Sequence, residues 1–266
     1  MGRLIGYMAN RADRLGQVLD EEEPAIAPPS HFSPDAWGIG FYQGGEVLFK
    51  KRPTTSDGPI DWKAVARGVG SDCVVVHLRE ATVGDFHADN THPFRMGQWL
   101  FAHNGTVEGF AAIRSRLVES LPDFLRRNIR GSTDSEHVFH VLLSFLHDEG
   151  ILDHADADPK TVFGAIRSTV ALLDRHAAEV AAPLPTLNMV LTNGRYLYAL
   201  RRDLPIYYVQ RTGLPSEGRI HKEGAGALRY VLLFSDGEVG PVGYDELPPR
   251  SVLTVDRDLG VQVTPL

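Results

Sequence analysis

Apolar residues form short alternating or continuous runs near both ends of the chain and recur at helical spacing in its middle. The run CVVVHLR at 73–79 is too short for a helix, so it predicts a buried strand that ends in charge. Two hairpins are predicted, one around Gln43-Gly44-Gly45 and one over 186–201 around Asn193-Gly194. Further strands are predicted over 3–8, 98–107, 206–210, 229–234, 251–256 and 261–264.

The middle of the chain predicts three helical stretches. The first covers 108–128, with an interruption at Pro122, and the second covers 133–150, which begins with a Thr-x-x-Glu capping box. The third covers 159–181 and has Pro159 near its first turn. The acidic and then proline-rich stretch 20–35 favours a surface loop. Strands, then helices, then strands predict an α+β domain rather than alternating βαβ units.

Composition narrows the class of protein. The chain has 266 residues with 43% hydrophobic and 23% charged content, which is ordinary for a globular protein with a sizeable core. The net charge of −7 gives the chain no excess of positive charge that would attract nucleic acid or anionic lipid, so we expect no nucleic-acid or membrane partner. No apolar run approaches the roughly 20 residues of a membrane span. Cys73 is the single cysteine, which excludes an internal disulfide and favours a cytoplasmic location.

Two short motifs carry candidate chemistry, and each has an ordinary structural alternative. In HLREAT (77–82), a strand that ends in His77 and Arg79 could hold a fixed cation over a pocket, and the Arg79 guanidinium suits a carboxylate. Taken alone, the motif is better explained by a surface arginine beside a core histidine. In FAHNGT (101–106), the Asn104 amide and the Gly105 N–H could form an oxyanion hole. The alternative is a hairpin turn, since Asn-Gly is a common turn pair.

A third motif and the histidines leave further alternatives open. In STDSE (132–136), Asp134 could hold a substrate ammonium, while helix capping by Thr133 explains the same residues. The histidine-containing segments 87–92 and 136–140 could supply a metal site, but their spacing matches no recognised ligand signature. Phosphate-binding glycine loops and a Gly-x-Ser-x-Gly elbow are absent from the sequence. We therefore expect neither a metal nor a cofactor.

The order of the motifs is more specific than any one of them. RLIGY, WGIGFY, HLREATVG, NTHPF, FAHNGTV and STDSE follow one another along the chain. This series resembles the class II glutamine amidotransferases, which are N-terminal-nucleophile hydrolases. The later stretches NMVLTNGRYLYALR and YDELPPRSVLTV are similar to the C-terminal part of the stand-alone members. The resemblance implies a four-layer αββα sandwich and a single domain over 1–266.

The resemblance also implies roles for individual residues. Arg79 would bind the α-carboxylate of glutamine with Thr82 nearby, and Asp134 would bind the α-ammonium. Asn104 and Gly105 would form the oxyanion hole.

Three more residues belong to the implied pocket. Trp37 and Gly38 would shape it, and NTHPF (90–94), which contains His92, would close over it.

Residue 2 departs from the family pattern. Where the family has a nucleophilic cysteine followed by Arg-Leu-Leu-Gly, this chain has Gly2 followed by Arg-Leu-Ile-Gly. Glycine has no side chain, so residue 2 cannot form a covalent intermediate. Cys73 lies inside an apolar strand and is interpreted as a buried structural thiol. Three explanations stay open: deliberate removal of the nucleophile, natural loss that leaves a pseudo-amidotransferase, and a different non-covalent chemistry.

The leading hypothesis is a stand-alone class II glutamine amidotransferase-like protein that binds glutamine or a γ-glutamyl amide. It would hydrolyse that amide if residue 2 were cysteine, and any ammonia would pass to a separate synthetase subunit. One alternative is an inactive pseudo-amidotransferase that acts as a binding or regulatory subunit. Another is a metal-dependent hydrolase that uses the histidines of 87–92 and 136–140.

Overall fold

Two antiparallel sheets form the centre of the protein. The computed structural model describes residues 2–27, 34–53, 62–80, 87–216, 226–235 and 240–266, so Thr82 lies outside the described residues. In spatial order, the seven-stranded sheet contains β11 (Asp245–Glu246), β9 (Ile206–Thr212), β10 (Arg229–Ser235), β1 (Arg3–Ala9), β4 (Cys73–Arg79), β2 (Ala36–Gln43) and β3 (Glu46–Pro53). The six-stranded sheet contains β13 (Val261–Pro265), β12 (Ser251–Val255), β8 (Leu197–Arg201), β7 (Asn188–Thr192), β6 (Trp99–Asn104) and β5 (Phe94–Met96).

Helices cover the outer face of each sheet. Those on the seven-stranded sheet are α1 (Leu15–Glu21), α2 (Glu23–Ile26) and α3 (Trp62–Arg67). Those on the six-stranded sheet are α4 (Phe110–Ser120), α5 (Asp123–Arg126), α6 (Asp134–Asp148) and α7 (Pro159–Glu179). A short 3₁₀ turn, Ala88–Asn90, precedes β5. No helix among the described residues combines the length and apolar character that crossing a bilayer requires.

Three separate cores hold the four layers together. Strand β1 shows why, because its side chains alternate between faces. Leu4 and Met8 enter the core between the sheets, whereas Ile5 and Tyr7 enter the core beneath α1–α3. A third core joins α4–α7 to the six-stranded sheet. The predicted α+β, four-layer αββα sandwich is confirmed.

Most predicted elements form, but the interpretation of 20–35 as a surface loop was wrong over 20–27, and residues 28–33 lie outside the described part of the chain. Helix α2 lies inside that stretch, and Glu22 immediately before it is buried. The Glu22 carboxylate accepts hydrogen bonds from Arg211 Nε at 2.7 Å and from the hydroxyls of Tyr230 and Tyr244. These partners come from distant strands or loops, so the local acidic and proline-rich composition could not reveal them. The predicted interruption at Pro122 is confirmed, since α4 ends before it and α5 begins after it.

Glycine at residue 38 lets a neighbouring segment pass close to the seven-stranded sheet. A Cβ atom on Gly38 would lie 1.9 Å from the carbonyl oxygen of His92, far inside the van der Waals contact distance. A Cβ on Gly40 would lie 2.7 Å from Cγ of Pro93. The 92–93 segment therefore packs directly on the backbone of β2, as only glycine allows.

We predict that Gly38→Ala destabilises the protein. Overpacking against a backbone carbonyl should lower the free energy of unfolding by about 2 kcal/mol or more. The control is Gly164→Ala within α7, where a Cβ would meet no atom within 4 Å. This control should raise the free energy of unfolding by about 0.5–1 kcal/mol. Urea unfolding measures both, and equal effects of the two substitutions would contradict the close approach at Gly38.

Candidate active site

Residue 2 lies at the edge of the sandwich, between the two sheets. It immediately precedes β1, whose register pairs Arg3 with Leu78 and Leu4 with His77 of β4. A Cβ atom on Gly2 would lie 2.6 Å from the carbonyl oxygen of Leu78 and 3.1 Å from Nε2 of His77. Any side chain at residue 2 would therefore require the chain to move away from β4 and would contact the His77 ring.

Asn104 reaches residue 2 from the opposite sheet. It is the last residue of β6, and its Nδ2 donates a hydrogen bond to the Gly2 carbonyl oxygen. The same amide nitrogen lies 3.3 Å from Oγ of Ser235, which also accepts the backbone N–H of Leu4 at 3.0 Å. The structure thus brings two predicted site residues together.

Ser235 is a site residue that the sequence did not reveal. It ends β10, and the pairing of Ile5 with Phe234 places it beside the start of β1. Only knowledge of that pairing could have identified it.

Gly105 follows Asn104 and lies against a third segment of the chain. A Cβ on Gly105 would lie 2.0 Å from the carbonyl oxygen of Thr186, so this position requires glycine. Neighbouring His103 is buried, with Nε2 at 3.2 Å from the same Thr186 oxygen and Nδ1 at 2.9 Å from Ser135 Oγ. Nε2 must donate to the carbonyl, so in the neutral ring Nδ1 accepts the serine hydroxyl. His103 and Ser135 connect the end of β6 to the start of α6.

Asp134 begins α6, and its carboxylate anchors the backbone around it. Oδ2 accepts the N–H of Val107 at 2.8 Å, and Oδ1 accepts the N–H of Ser135 at 2.8 Å. A carboxylate has about four acceptor positions, so these two bonds leave room for a ligand cation. Thr133 caps the helix by accepting the Glu136 N–H at 3.3 Å, as the capping motif predicted.

Arg79 is buried at the end of β4, so the alternative of a surface arginine was wrong. One guanidinium nitrogen lies 3.4 Å from Oδ1 of Asp35, the residue that precedes β2. The sequence analysis did not identify Asp35. Because Leu78 pairs with Arg3, Arg79 lies one residue further toward the chain start, level with Gly2.

His77 and His92 form a buried ring pair behind residue 2. Their ring centroids are 4.1 Å apart, and His92 also contacts the Phe94 ring at 4.7 Å. Burial lowers the pKa of His77 to about 3, and nearby His103 and Arg79 act in the same direction. Burial also lowers the pKa of His92 well below its usual value. Both rings are therefore neutral near pH 7, and the alternative of a core histidine at position 77 is confirmed.

Trp37 and Gly38 lie on opposite faces of β2. The Trp37 side chain packs in the core beneath α1–α3, whereas Gly38 faces the 92–93 segment between the sheets. Any contribution of Trp37 to a pocket between the sheets therefore comes from its backbone.

Cys73 lies at the far end of β4 from Arg79. Its register partner is Met8, six residues along β1 from residue 2, or about 20 Å at the rise of a strand. The thiol is buried and lies 3.3 Å from Thr192 Oγ1, and burial raises its pKa to about 11. The interpretation of Cys73 as a structural thiol is confirmed.

The residues proposed for a metal site do not form a set of ligands in the described part of the chain. No group of three His, Cys, Asp or Glu side chains there could hold an ion. The Glu136 carboxylate instead accepts the backbone N–H groups of Arg130 and Gly131, and His140 Nδ1 bonds the Glu136 carbonyl.

Comparison with known proteins identifies the family of this chain. Residues 28–221, more than half of the chain, match the family model for class II glutamine amidotransferases. The chain belongs to the class II glutamine amidotransferase family. The matched range begins after residue 2, so the membership of this chain in the family does not depend on a nucleophile at that position.

Individual curated relatives are 27–34% identical to this chain over the aligned residues. A Haemophilus influenzae protein, provisionally named as a glutamine amidotransferase, is 29% identical over 76% of the chain and 64% of its own length. Like several other curated relatives, it is matched over less than two thirds of its length. The γ-glutamyl-hercynylcysteine sulfoxide hydrolase of Mycolicibacterium smegmatis is 27% identical over 94% of the chain and 90% of its own length.

A solved structure shows the same fold. The class II glutamine aminotransferase domain protein of Silicibacter pomeroyi superposes with a TM-score of 0.65 and 22% identity. The superposition covers 99% of this chain and 98% of the Silicibacter pomeroyi chain.

We predict that the buried histidines make stability depend on pH. Because the pKa of His77 is about 3 in the folded state and about 6.5 in the unfolded chain, protons bind the unfolded state first. Stability is therefore unaffected well above pH 6.5 and is lost as pH falls toward 3. From pH 6.5 to 4.5, His77 alone should remove about 2 kcal/mol.

Urea unfolding at several pH values tests this dependence. His77→Gln should remove about 1.4 kcal/mol per pH unit from the slope below pH 6.5, compared with the unaltered protein. His154→Gln, at an exposed position, is the control and should leave the slope unchanged. Parallel curves for all three proteins would contradict a neutral, buried His77.

Proposed function

We propose that this chain binds a γ-glutamyl amide at the edge of the sandwich beside residue 2. The observation that carries the proposal is the hydrogen bond from the Asn104 amide to the Gly2 carbonyl. It joins the predicted oxyanion-hole residue of one sheet to the nucleophile position of the other. A substrate carboxamide between them would lie next to Gly105 and in front of the His77 ring.

The charges around residue 2 suit the ends of an amino acid. Arg79 offers a guanidinium that is buried and therefore poorly hydrated, which favours a bidentate bond to an α-carboxylate. Asp134 offers a carboxylate with unused acceptor positions for an α-ammonium. Thr82 is proposed to assist Arg79, and the backbone of Trp37 and Gly38 with His92 is proposed to border the pocket.

The reaction would need a thiol at residue 2. A thiolate there attacks the amide carbon, the C–N bond breaks, and the leaving nitrogen takes the proton that the α-amine accepted from the thiol. Water then hydrolyses the thioester to release glutamate. Gly2 supplies no thiol, so in this chain the site binds the amide without forming the thioester.

A γ-glutamyl conjugate suits the proposal at least as well as free glutamine. The Mycolicibacterium smegmatis relative, matched over 90% of its length, is by name a hydrolase of a γ-glutamyl conjugate. Its name points to a leaving group larger than ammonia. If glutamine is the substrate instead, the released ammonia would pass to a separate synthetase subunit.

Gly2→Cys, produced with residue 2 as the first residue, tests the reaction. We expect the Gly2→Cys variant to release glutamate from L-glutamine or from γ-glutamyl amides of amino acids at least a hundredfold faster than the unaltered protein. Gly2→Ala is the matched control because its Cβ demands the same movement away from the Leu78 carbonyl without adding a nucleophile. Glutamate is measured enzymatically, and the N-terminus by mass spectrometry.

The outcome separates hydrolysis from binding alone. If the Gly2→Cys variant is as inert as the alanine control, the hydrolase proposal fails. Calorimetry with L-glutamine and a γ-glutamyl dipeptide on the unaltered protein tests binding separately. Arg79→Met should weaken that binding at least tenfold by removing the charge that meets the α-carboxylate.

The absence of a nucleophile favours a second candidate, an inactive binding or regulatory subunit. Its test is a stable complex with a synthetase whose activity requires this chain with Gly2 unaltered. Loss of that activity on Arg79→Met would show that ligand binding, rather than assembly alone, is needed.

A further inference from the structure

A cavity of about 490 Å³ opens at the edge of the sandwich, where β3 of one sheet faces β5 of the other. We define the Lys51 cavity by four of its lining residues, Phe49, Lys51, Phe94 and Phe139. Its volume falls in the range of small-molecule sites, roughly 300–1,000 Å³. The 92–93 segment, which packs on Gly38, separates it from residue 2.

Lys51 has aromatic neighbours and no hydrogen-bonding partner. Its Nζ lies 5.0 Å from the ring centroid of Phe49 and 5.3 Å from that of Phe94. Within the described part of the chain, no acceptor forms a hydrogen bond or ion pair with this ammonium. Burial lowers the pKa of Lys51 to about 8, since the charged form is poorly solvated. An anion placed at Nζ would relieve that cost.

The described residues that line the Lys51 cavity carry more positive than negative formal charge. The cations are Lys51, Arg95 and Arg130, and the carboxylates are those of Asp89 and Glu136, so three positive charges stand against two negative ones. The Glu136 carboxylate already accepts two backbone N–H groups, at 2.9 and 2.6 Å. Among the described residues, Arg95 donates only to the Gly97 carbonyl, at 3.3 Å. The excess charge of the cavity lining is therefore positive while Lys51 is protonated.

We propose that the Lys51 cavity binds a small organic anion. Its anionic group would contact the Lys51 ammonium, and an apolar body would lie against the rings of Phe49 and Phe94. The site lies apart from the one beside residue 2 and does not depend on amide hydrolysis. The contact between Phe94 and His92 nevertheless makes the two sites neighbours, because His92 contacts His77 behind residue 2.

Isothermal calorimetry with 4-phenylbutyrate and the whole chain tests the proposal at pH 7. We expect saturable binding that Lys51→Met weakens at least tenfold. Lys50→Met is the matched control, because Lys50 is the adjacent residue of β3, on the opposite face of the strand, and is exposed. Lys51→Arg keeps the charge and should retain binding. Loss of binding in Lys51→Met with retention in Lys51→Arg would assign the effect to the positive charge rather than to substitution at residue 51 as such.

Two comparison ligands test the anionic group and the apolar body. Neutral 4-phenylbutyramide and inorganic phosphate should each bind at least tenfold more weakly than 4-phenylbutyrate. The proposal fails if the amide binds as tightly as the acid, if phosphate alone does so, or if Lys51→Met binds like the unaltered chain. Absence of saturable binding of 4-phenylbutyrate to the unaltered chain would also overturn it.

Proton linkage gives an independent measurement. Lys51 faces Asp89 of the 3₁₀ turn, Arg95 of β5, Arg130 of the loop before α6, and Glu136 and His140 of α6. Affinity for 4-phenylbutyrate should be constant from pH 6.5 to 7.5 and should fall toward tenfold per pH unit above pH 8, with proton uptake on binding. Affinity that is unchanged up to pH 9.5 would exclude Lys51 as the anion-binding group.

Discussion

The antiparallel pairing of β1 with β4 is the constraint on which the site depends. It joins Arg3 to Leu78 and Leu4 to His77 in the middle of the seven-stranded sheet. Because side chains alternate along a strand, this register turns residue 2, His77 and Arg79 toward the space between the sheets. A slip of one residue would turn the same groups toward α1–α3. The hydrophobic alternation of β1 fixes the register, since Leu4 and Ile5 belong to different cores.

Desolvation determines which groups near residue 2 are charged. Among the described residues, Nδ1 of His77 and both ring nitrogens of His92 have no hydrogen-bond partner, so burial keeps both rings neutral. Arg79 stays charged at the same depth because a guanidinium does not lose its proton in proteins, and Asp35 lies beside it. In the described part of the chain, the site therefore presents the Arg79 cation, with the Asp35 carboxylate beside it, and the anchored carboxylate of Asp134. This is a suitable environment for a zwitterionic amino-acid end.

The packing that maintains the fold of this family member does not involve residue 2. The three cores depend on dozens of buried side chains, and none of these belongs to residue 2. A glycine at residue 2 therefore takes no atom from any core. This explains how the chain can match the family over residues 28–221 and keep the family fold with glycine at residue 2.

The sequence by itself determined the α+β class, the bounds of β4, the two glycine-centred hairpins and the interruption at Pro122, because periodicity and turn chemistry act between near neighbours. The order of its motifs also indicated the family, and the resemblance singled out Asn104, which the structure places beside residue 2. Tertiary structure alone decided the contacts of Ser235, the burial of Glu22 and the aromatic surroundings of Lys51. These contacts join residues up to 231 positions apart or on different sheets, as Ser235 and Leu4 show. Strand pairing and layer packing bring such residues together, and no local pattern records them.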